Sequence, residues 1–129
     1  LDTGRAVALI DQLSGKHAKC EFRAVADLGI ALGGADGLAH ATPTGMAAHP
    51  GLPFDIGLLR SDHWLAEIVY FPLETPLLAE AKRLGCRTVS GGGMAVFQAV
   101  GAFQLFTGVV PDTGRMIRHF ASLGEGGGI

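Results

Sequence analysis

The stretch "WLAEIVYFPLETPLLAEAKRLGCRTVS", residues 64–90, decides the fold. Its first eight residues, 64–71, are rich in aromatic and β-branched side chains and are predicted as a strand. A helix with clear boundaries follows. Thr75 is a good N-cap, and Pro76 stands at the first helical position, where its missing N–H costs nothing. Gly85 can supply the left-handed stop. Between these limits Leu77, Leu78, Ala81 and Leu84 fall on one helical face. "CRTVS", 86–90, then reads as a second short strand. Strands that alternate with helices argue for a parallel sheet with helices on its faces.

Outward from this unit the alternation continues. Thr3 can cap a helix running to about Leu13, with Val7, Leu9, Ile10 and Leu13 as its apolar side. "CEFRAV", 20–25, carries Phe22 and Val25 in an alternating pattern and is predicted as a strand. "ADLGIALGGA", 26–35, is a short helix or turn ending in glycines. "DGLAHAT", 36–42, is strand-like, and "DIGLL", 55–59, is a short helical turn. Downstream, residues 91–108 read as a glycine-rich turn and then a helix, with Val96, Ala99, Val100, Phe103 and Phe106 inside. Pro111 and Asp112 open a last helix whose buried face is Met116, Ile117 and Phe120. "GEGGGI", 124–129, reads as a flexible tail.

Composition agrees with one globular domain. The 129 residues are 48% hydrophobic and 17% charged, with a net charge of −2. Such a chain buries roughly two-thirds of its unfolded surface. It has no basic run, which disfavours a nucleic-acid or anionic-membrane partner. No apolar stretch reaches the ~18 residues of a membrane span. The N-terminus has no basic segment ahead of a long apolar run, unlike a signal peptide. Cys20 and Cys86 lie far apart and outside any CxxC, as in a reduced, cytoplasmic protein. The chain opens on what looks like a strand end running straight into a helix, which points to a piece of a longer protein.

In open α/β sheets, ligands bind at the carboxyl ends of the strands. Three polar or glycine-containing turns fall there: "HATPTGM" (40–46), "YFPLET" (70–75) and "SGGGMAVFQ" (90–98). The loop "HATPTGMAAHPG", 40–51, is longer than a simple turn and is predicted to wall a ligand cleft. There is no GxSxG elbow, no P-loop and no GxGxxG. His40, His49 and His63 are neighbours in sequence but lack a ligand spacing, so no metal site is expected. Glu67 and Glu74 flank a strand end, and a solvated or capping carboxylate is the simpler reading than an acid/base role. Thr42 and Gly45 can offer hydroxyl and backbone donors to a ligand, or form an ordinary turn. Tyr70 brings a hydroxyl to the end of a strand, and can equally be core packing with an exposed tip. Gln98 lies within an apolar helical pattern, where its amide needs a partner.

Together these residues resemble the shikimate/quinate dehydrogenase family. "DGLAHATPTGM" is similar to the family's D-G-x-x-N-A-T-P-x-G-M strand and loop. "DHWLAEIVYFPLETPLLAEAKRLGC" resembles the strand and helix after it, and "GGGMAVFQAVGAFQLFTGVVPD" the last nicotinamide turn and its helix. The likeness runs from Asp2 to about Leu123, over the family's C-terminal, nucleotide-binding half. It implies a partial Rossmann-like parallel sheet, strands 3 to 6 of the usual six, with flanking helices. Residues 1–92 would be the partial dinucleotide-binding domain, 93–123 would be helices packing toward a substrate domain, and 124–129 the tail.

The resemblance also implies roles. Pro43, Thr44, Gly45 and Met46, with Thr42, would line the cofactor, Ile68 and Gly91 would contact its nicotinamide end, and Met94 would pack near the ring. Tyr70 and Gln98 would bind substrate, shikimate or quinate. Asp2 and Arg5 match the pattern "D-x-D-T-x-R" of members that prefer NAD, which favours NAD over NADP, because a carboxylate repels a 2′-phosphate. The family's catalytic lysine and aspartate and its glycine-rich phosphate loop belong to segments outside this chain, so no catalytic residue is expected here. The chain alone is expected to be inactive and to pair with the other half or self-associate. Three departures stand out. His40 replaces an asparagine, Ser90 an aspartate, and Gly101 an aspartate. The first two leave open an inactive nucleotide-binding or regulatory paralogue.

Overall fold

A computed structural model describes residues 3–17 and 19–125. Asp2 and the tail residues 126–129 lie outside the described residues. The chain forms two compact units, Leu1–Gly34 and Ala35–Ile129.

The first unit holds α1 (Thr3–Ser14) and α2 (Leu28–Gly33). Asp27 caps α2, its carboxylate accepting the Ile30 N–H at 3.1 Å. The strand expected at 20–25 does not form. A strand needs a neighbour to take its ladder hydrogen bonds, and among the described residues none pairs with this segment. Its order is local instead. Arg23 pairs with Glu21, and Phe22 meets the edge of the His17 ring with centroids 6.4 Å apart.

The second unit carries β1 (Gly37–His40), a 3-10 turn (Ile56–Leu58), β2 (Trp64–Glu67), α3 (Pro76–Leu84), β3 (Arg87–Val89), α4 (Gly91–Thr107) and α5 (Thr113–Glu125). The three strands form a parallel sheet in the order β1-β2-β3. The α/β parallel arrangement is the expected one, with three strands rather than four among the described residues. Side chains alternate across it. Leu38, His40, Leu65 and Glu67 point to the covered face, while Ala39, Trp64 and Val89 lie on the exposed one. The covered face meets α3 in a core of Leu59, Leu65, Leu77, Leu78, Ala81 and Cys86.

α3 forms as its sequence dictates. The Thr75 hydroxyl accepts the Leu78 N–H at 3.2 Å, Pro76 opens the first turn, and Gly85 closes the helix at φ 88°. β2 is shorter than the aromatic run suggested. After Glu67 only one further bond ties it to β1, from Ile68 N–H to the His40 carbonyl at 3.0 Å. Beyond it both chains leave the sheet.

The glycines of 91–93 are helical, not a turn. A Cβ on Gly91 would lie 2.5 Å from the Ile68 carbonyl oxygen, and one on Gly92 would lie 2.9 Å from the Phe120 ring. Missing side chains therefore let α4 begin against the end of β2 and beside α5. Further along, the expected inner face of α4 is corrected. Val96 is buried and Val100 partly so, but Ala99 and Phe103 are exposed and Phe106 is 84% exposed. This helix is apolar on all sides, so its sequence marks no preferred face. α5 is capped by the Asp112 carboxylate, which accepts the Arg115 N–H at 2.9 Å. It half-buries Met116 and Phe120, leaves Ile117 more open, and runs to Glu125, into the segment read as tail.

Candidate functional site

The loops leaving β1 and β2 wall a cavity of about 480 Å³, open to solvent, at the carboxyl ends of the strands. One wall is residues 41–48 and the other is residues 68–71. The first wall is a compact double turn. Met46 N–H bonds to the Pro43 carbonyl at 3.1 Å, His49 N–H to Met46 at 2.9 Å, and Gly45 N–H to His49 at 2.7 Å. Gly45 is buried at φ 100°, a conformation that disfavours a side chain, and its α-carbon hydrogen faces Thr75. The turn thus rests on the capping residue of α3.

Beneath the cavity lies a buried polar hub. Glu67 ends β2 with a fully buried side chain, on the inward parity set by Leu65. One carboxylate oxygen, Oε1, receives His40 Nδ1 at 2.8 Å and the Val69 N–H at 3.0 Å. The other, Oε2, receives the Thr75 hydroxyl at 2.9 Å. His40 and Glu67 are register partners on adjacent strands, which brings the ring against the carboxylate. On its far side His40 Nε2 meets the Thr42 hydroxyl at 2.6 Å. A carboxyl group buried this deeply is tolerated only when its oxygens are hydrogen-bonded, and here they are. The reading of Glu67 as a solvated or merely capping carboxylate is therefore wrong. An acidic residue inside the apolar run "LAEIV", in phase with a core leucine, was the signal that pointed inward. His40, which departs from the asparagine pattern, is 4% exposed and bonds on both sides.

The structure brings Thr42, Pro43, Met46, Ile68 and Tyr70 together around the cavity. Thr44 and Gly45 lie in the same turn, behind that lining. Tyr70 is 48% exposed and stands three residues past the end of β2, not within a buried strand. Gly91 packs on Ile68 at the start of α4, and Met94 follows it, 43% exposed. Gln98 is exposed on the same helix. Ser90 stands before α4 with no side-chain capping bond. Arg5 lies on α1 in the first unit, with an exposed side chain.

At the opposite end of β2, His63 is fully buried and accepts the Arg60 N–H at Nδ1, 3.1 Å away. A hydrogen bond from Arg60 holds the exposed Asp62 carboxyl below the usual range. Burial pushes the Cys86 thiol up, and its Sγ donates to the Arg60 carbonyl at 3.1 Å. Among the described residues no three His, Cys, Asp or Glu side chains gather as a metal site. Among the described residues no helix is long and apolar enough to cross a membrane.

A parallel sheet flanked by helices, with a loop-walled cavity at the carboxyl ends of two adjacent strands, defines a Rossmann-like α/β protein. No family model matches the chain. Known proteins do. A shikimate dehydrogenase (NADP(+)) of Streptomyces avermitilis is 63% identical over 89 residues, which is 69% of this chain and 31% of that protein. A quinate/shikimate dehydrogenase (NAD(+)) of Corynebacterium glutamicum is 48% identical over 125 residues, 95% of this chain and 44% of that protein. The solved quinate dehydrogenase from Corynebacterium glutamicum, in complex with NAD, superposes with a TM-score of 0.83 and 46% identity, over 95% of this chain and 44% of that one. The chain belongs to the shikimate/quinate dehydrogenase family and corresponds to the C-terminal half of its members. It spans less than half the length of these relatives.

Proposed function

We propose that the protein carrying this chain is a shikimate or quinate dehydrogenase, which reversibly oxidises the 3-hydroxyl of shikimate to 3-dehydroshikimate with NAD(P). The observation that supports this best is the cavity itself. It lies at the carboxyl ends of β1 and β2, with Thr42 and Tyr70 on facing walls. The group fits the residues present. The walls are largely apolar, as a nicotinamide face requires, and each brings one hydroxyl to an otherwise greasy pocket. Gly91, with no side chain, lets the start of α4 pack directly on the Ile68 carbonyl beside the cavity. Bound there, NAD(P) supplies the hydride acceptor or donor. In this reading Pro43, Thr44, Gly45 and Met46 form the floor under the dinucleotide, with Thr42. Ile68, Gly91 and Met94 hold its nicotinamide end and keep water from one face. Tyr70 and Gln98 orient the substrate by hydrogen bonds, for which their exposure leaves them available.

NAD is favoured over NADP because Asp2 would repel a 2′-phosphate, with Arg5 offsetting part of that repulsion. Both cofactors occur in the names of the relatives. The acid/base groups come from outside this chain, so the chain by itself is inactive. The cellular setting is cytoplasmic, in the making of aromatic amino acids or the use of quinate. The test is a steady-state assay of the protein that carries this chain, with shikimate and quinate against NAD and NADP. NAD-linked turnover, with Gln98→Ala raising KM for substrate more than for cofactor, is the expected result. Tight dinucleotide binding without turnover on either substrate would instead favour the inactive regulatory paralogue, which the His40 and Ser90 departures suggest.

A further inference from the structure

We propose that His40 is a positioning residue that fixes the polarity of Thr42, so that Thr42 accepts a hydrogen bond from the bound ligand and gives none. The inference rests on the cavity being the dinucleotide site. The direction of each bond in the hub follows from its fixed donors. The Val69 N–H can only donate, and it donates to Glu67 Oε1. The Thr75 oxygen already accepts the Leu78 N–H, and its own hydrogen turns to Glu67 Oε2. Both carboxylate oxygens therefore act as acceptors. With Glu67 ionised, the His40 nitrogen facing Oε1, Nδ1, carries the hydrogen. In the singly protonated ring the other nitrogen, Nε2, is then a bare acceptor. The group 2.6 Å from it is the Thr42 hydroxyl, which is obliged to donate.

Thr42 has one hydrogen, and the hub consumes it. What remains toward the cavity is the oxygen's lone pairs. Such an acceptor suits a ligand hydroxyl or amide N–H, such as a ribose hydroxyl or a carboxamide. It repels phosphate oxygens, which need donors. Thr42 thereby selects which part of a dinucleotide lies over it, and a pyrophosphate is not that part. The selection starts at Glu67, on the neighbouring strand.

Two measurements test this on the protein that carries the chain. The first is the ring tautomer of His40, read from long-range proton–nitrogen correlations of nitrogen-15-labelled histidine at neutral pH. A ring with hydrogen on Nδ1 and none on Nε2 is expected. Hydrogen on Nε2, with or without one on Nδ1, would overturn the proposal, since Thr42 would then accept from His40 and keep its hydrogen for the ligand. The second is the Kd for NAD in Thr42→Val and Thr42→Ser. Loss of one acceptor should weaken NAD about tenfold in the valine variant, while serine stays near wild type. Pyrophosphate alone should bind both variants equally. A valine variant with unchanged NAD affinity would overturn the ligand contact. A wild-type protein that binds no dinucleotide would overturn the cofactor reading of the cavity and the ligand contact with it. The ring spectrum would still decide the direction of the relay.

Discussion

Thr75 serves two masters, and replacing it by valine separates them from packing. Its side chain is wholly buried. The hydroxyl caps α3 by accepting the Leu78 N–H at 3.2 Å and donates to Glu67 Oε2 at 2.9 Å. Valine keeps the volume and loses both bonds. The missing cap costs about 1 kcal/mol. The unpartnered carboxylate oxygen, in a site that water does not reach, costs a further ~1–3 kcal/mol. Thr75→Val should therefore destabilise by about 2–4 kcal/mol. Thr75→Ser retains both bonds and deletes one methyl group, a loss of about 1 kcal/mol. Urea unfolding followed by tryptophan fluorescence reads both, because Trp64 lies on β2. The order wild type, serine, valine is the expected result. A valine variant as stable as the serine variant would mean that the hub contributes nothing beyond volume, and the account of Glu67 as a satisfied buried charge would fall.

Other outcomes follow from the same geometry. Gly91→Ala places a Cβ 2.5 Å from the Ile68 carbonyl oxygen, so β2 and α4 must part. A loss of roughly 1–3 kcal/mol is expected, with weakened dinucleotide binding in the same titration. Gly85→Ala forces a side chain into the left-handed region at φ 88° and should cost about 1 kcal/mol, with cofactor affinity unchanged because the residue lies at the far end of α3. Thiol alkylation should separate the two cysteines. Cys20 is exposed and should react at once, while Cys86 is buried and its thiol is raised, so less thiolate is present at any pH below that value. Mass spectrometry of the native protein should show one modification at neutral pH, and two only at higher pH or in denaturant. Leu65→Ala, at a core site 1% exposed, should cost about 2–5 kcal/mol by thermal or urea unfolding.

The local signals decided α3 outright. A capping threonine, a proline at the first helical position and a left-handed glycine act within a few residues of the bonds they make, and they need nothing else of the fold. Asp112 opened α5 for the same reason. The parallel order and the cavity's place at the strand ends were also legible, because alternation of strand and helix leaves few topologies. The strand at 20–25 was not, since its alternation says that a strand is possible and nothing about a partner to pair with. α4 shows the converse limit. Apolar on every side, it carries no face for the sequence to declare, and packing against α5 and the end of β2 chose Gly91, Gly92 and Val96. The hub was the largest omission. His40 and Glu67 stand 27 residues apart, and Thr75 eight beyond, so nothing in their spacing announces a bond. Parallel register made them neighbours, and a low-dielectric floor made their pairing necessary. The sequence by itself determined the elements whose hydrogen bonds are local, and the loops that end them. Only the tertiary structure decided which polar groups are buried together, because burial is a property of the assembled sheet and not of any one segment.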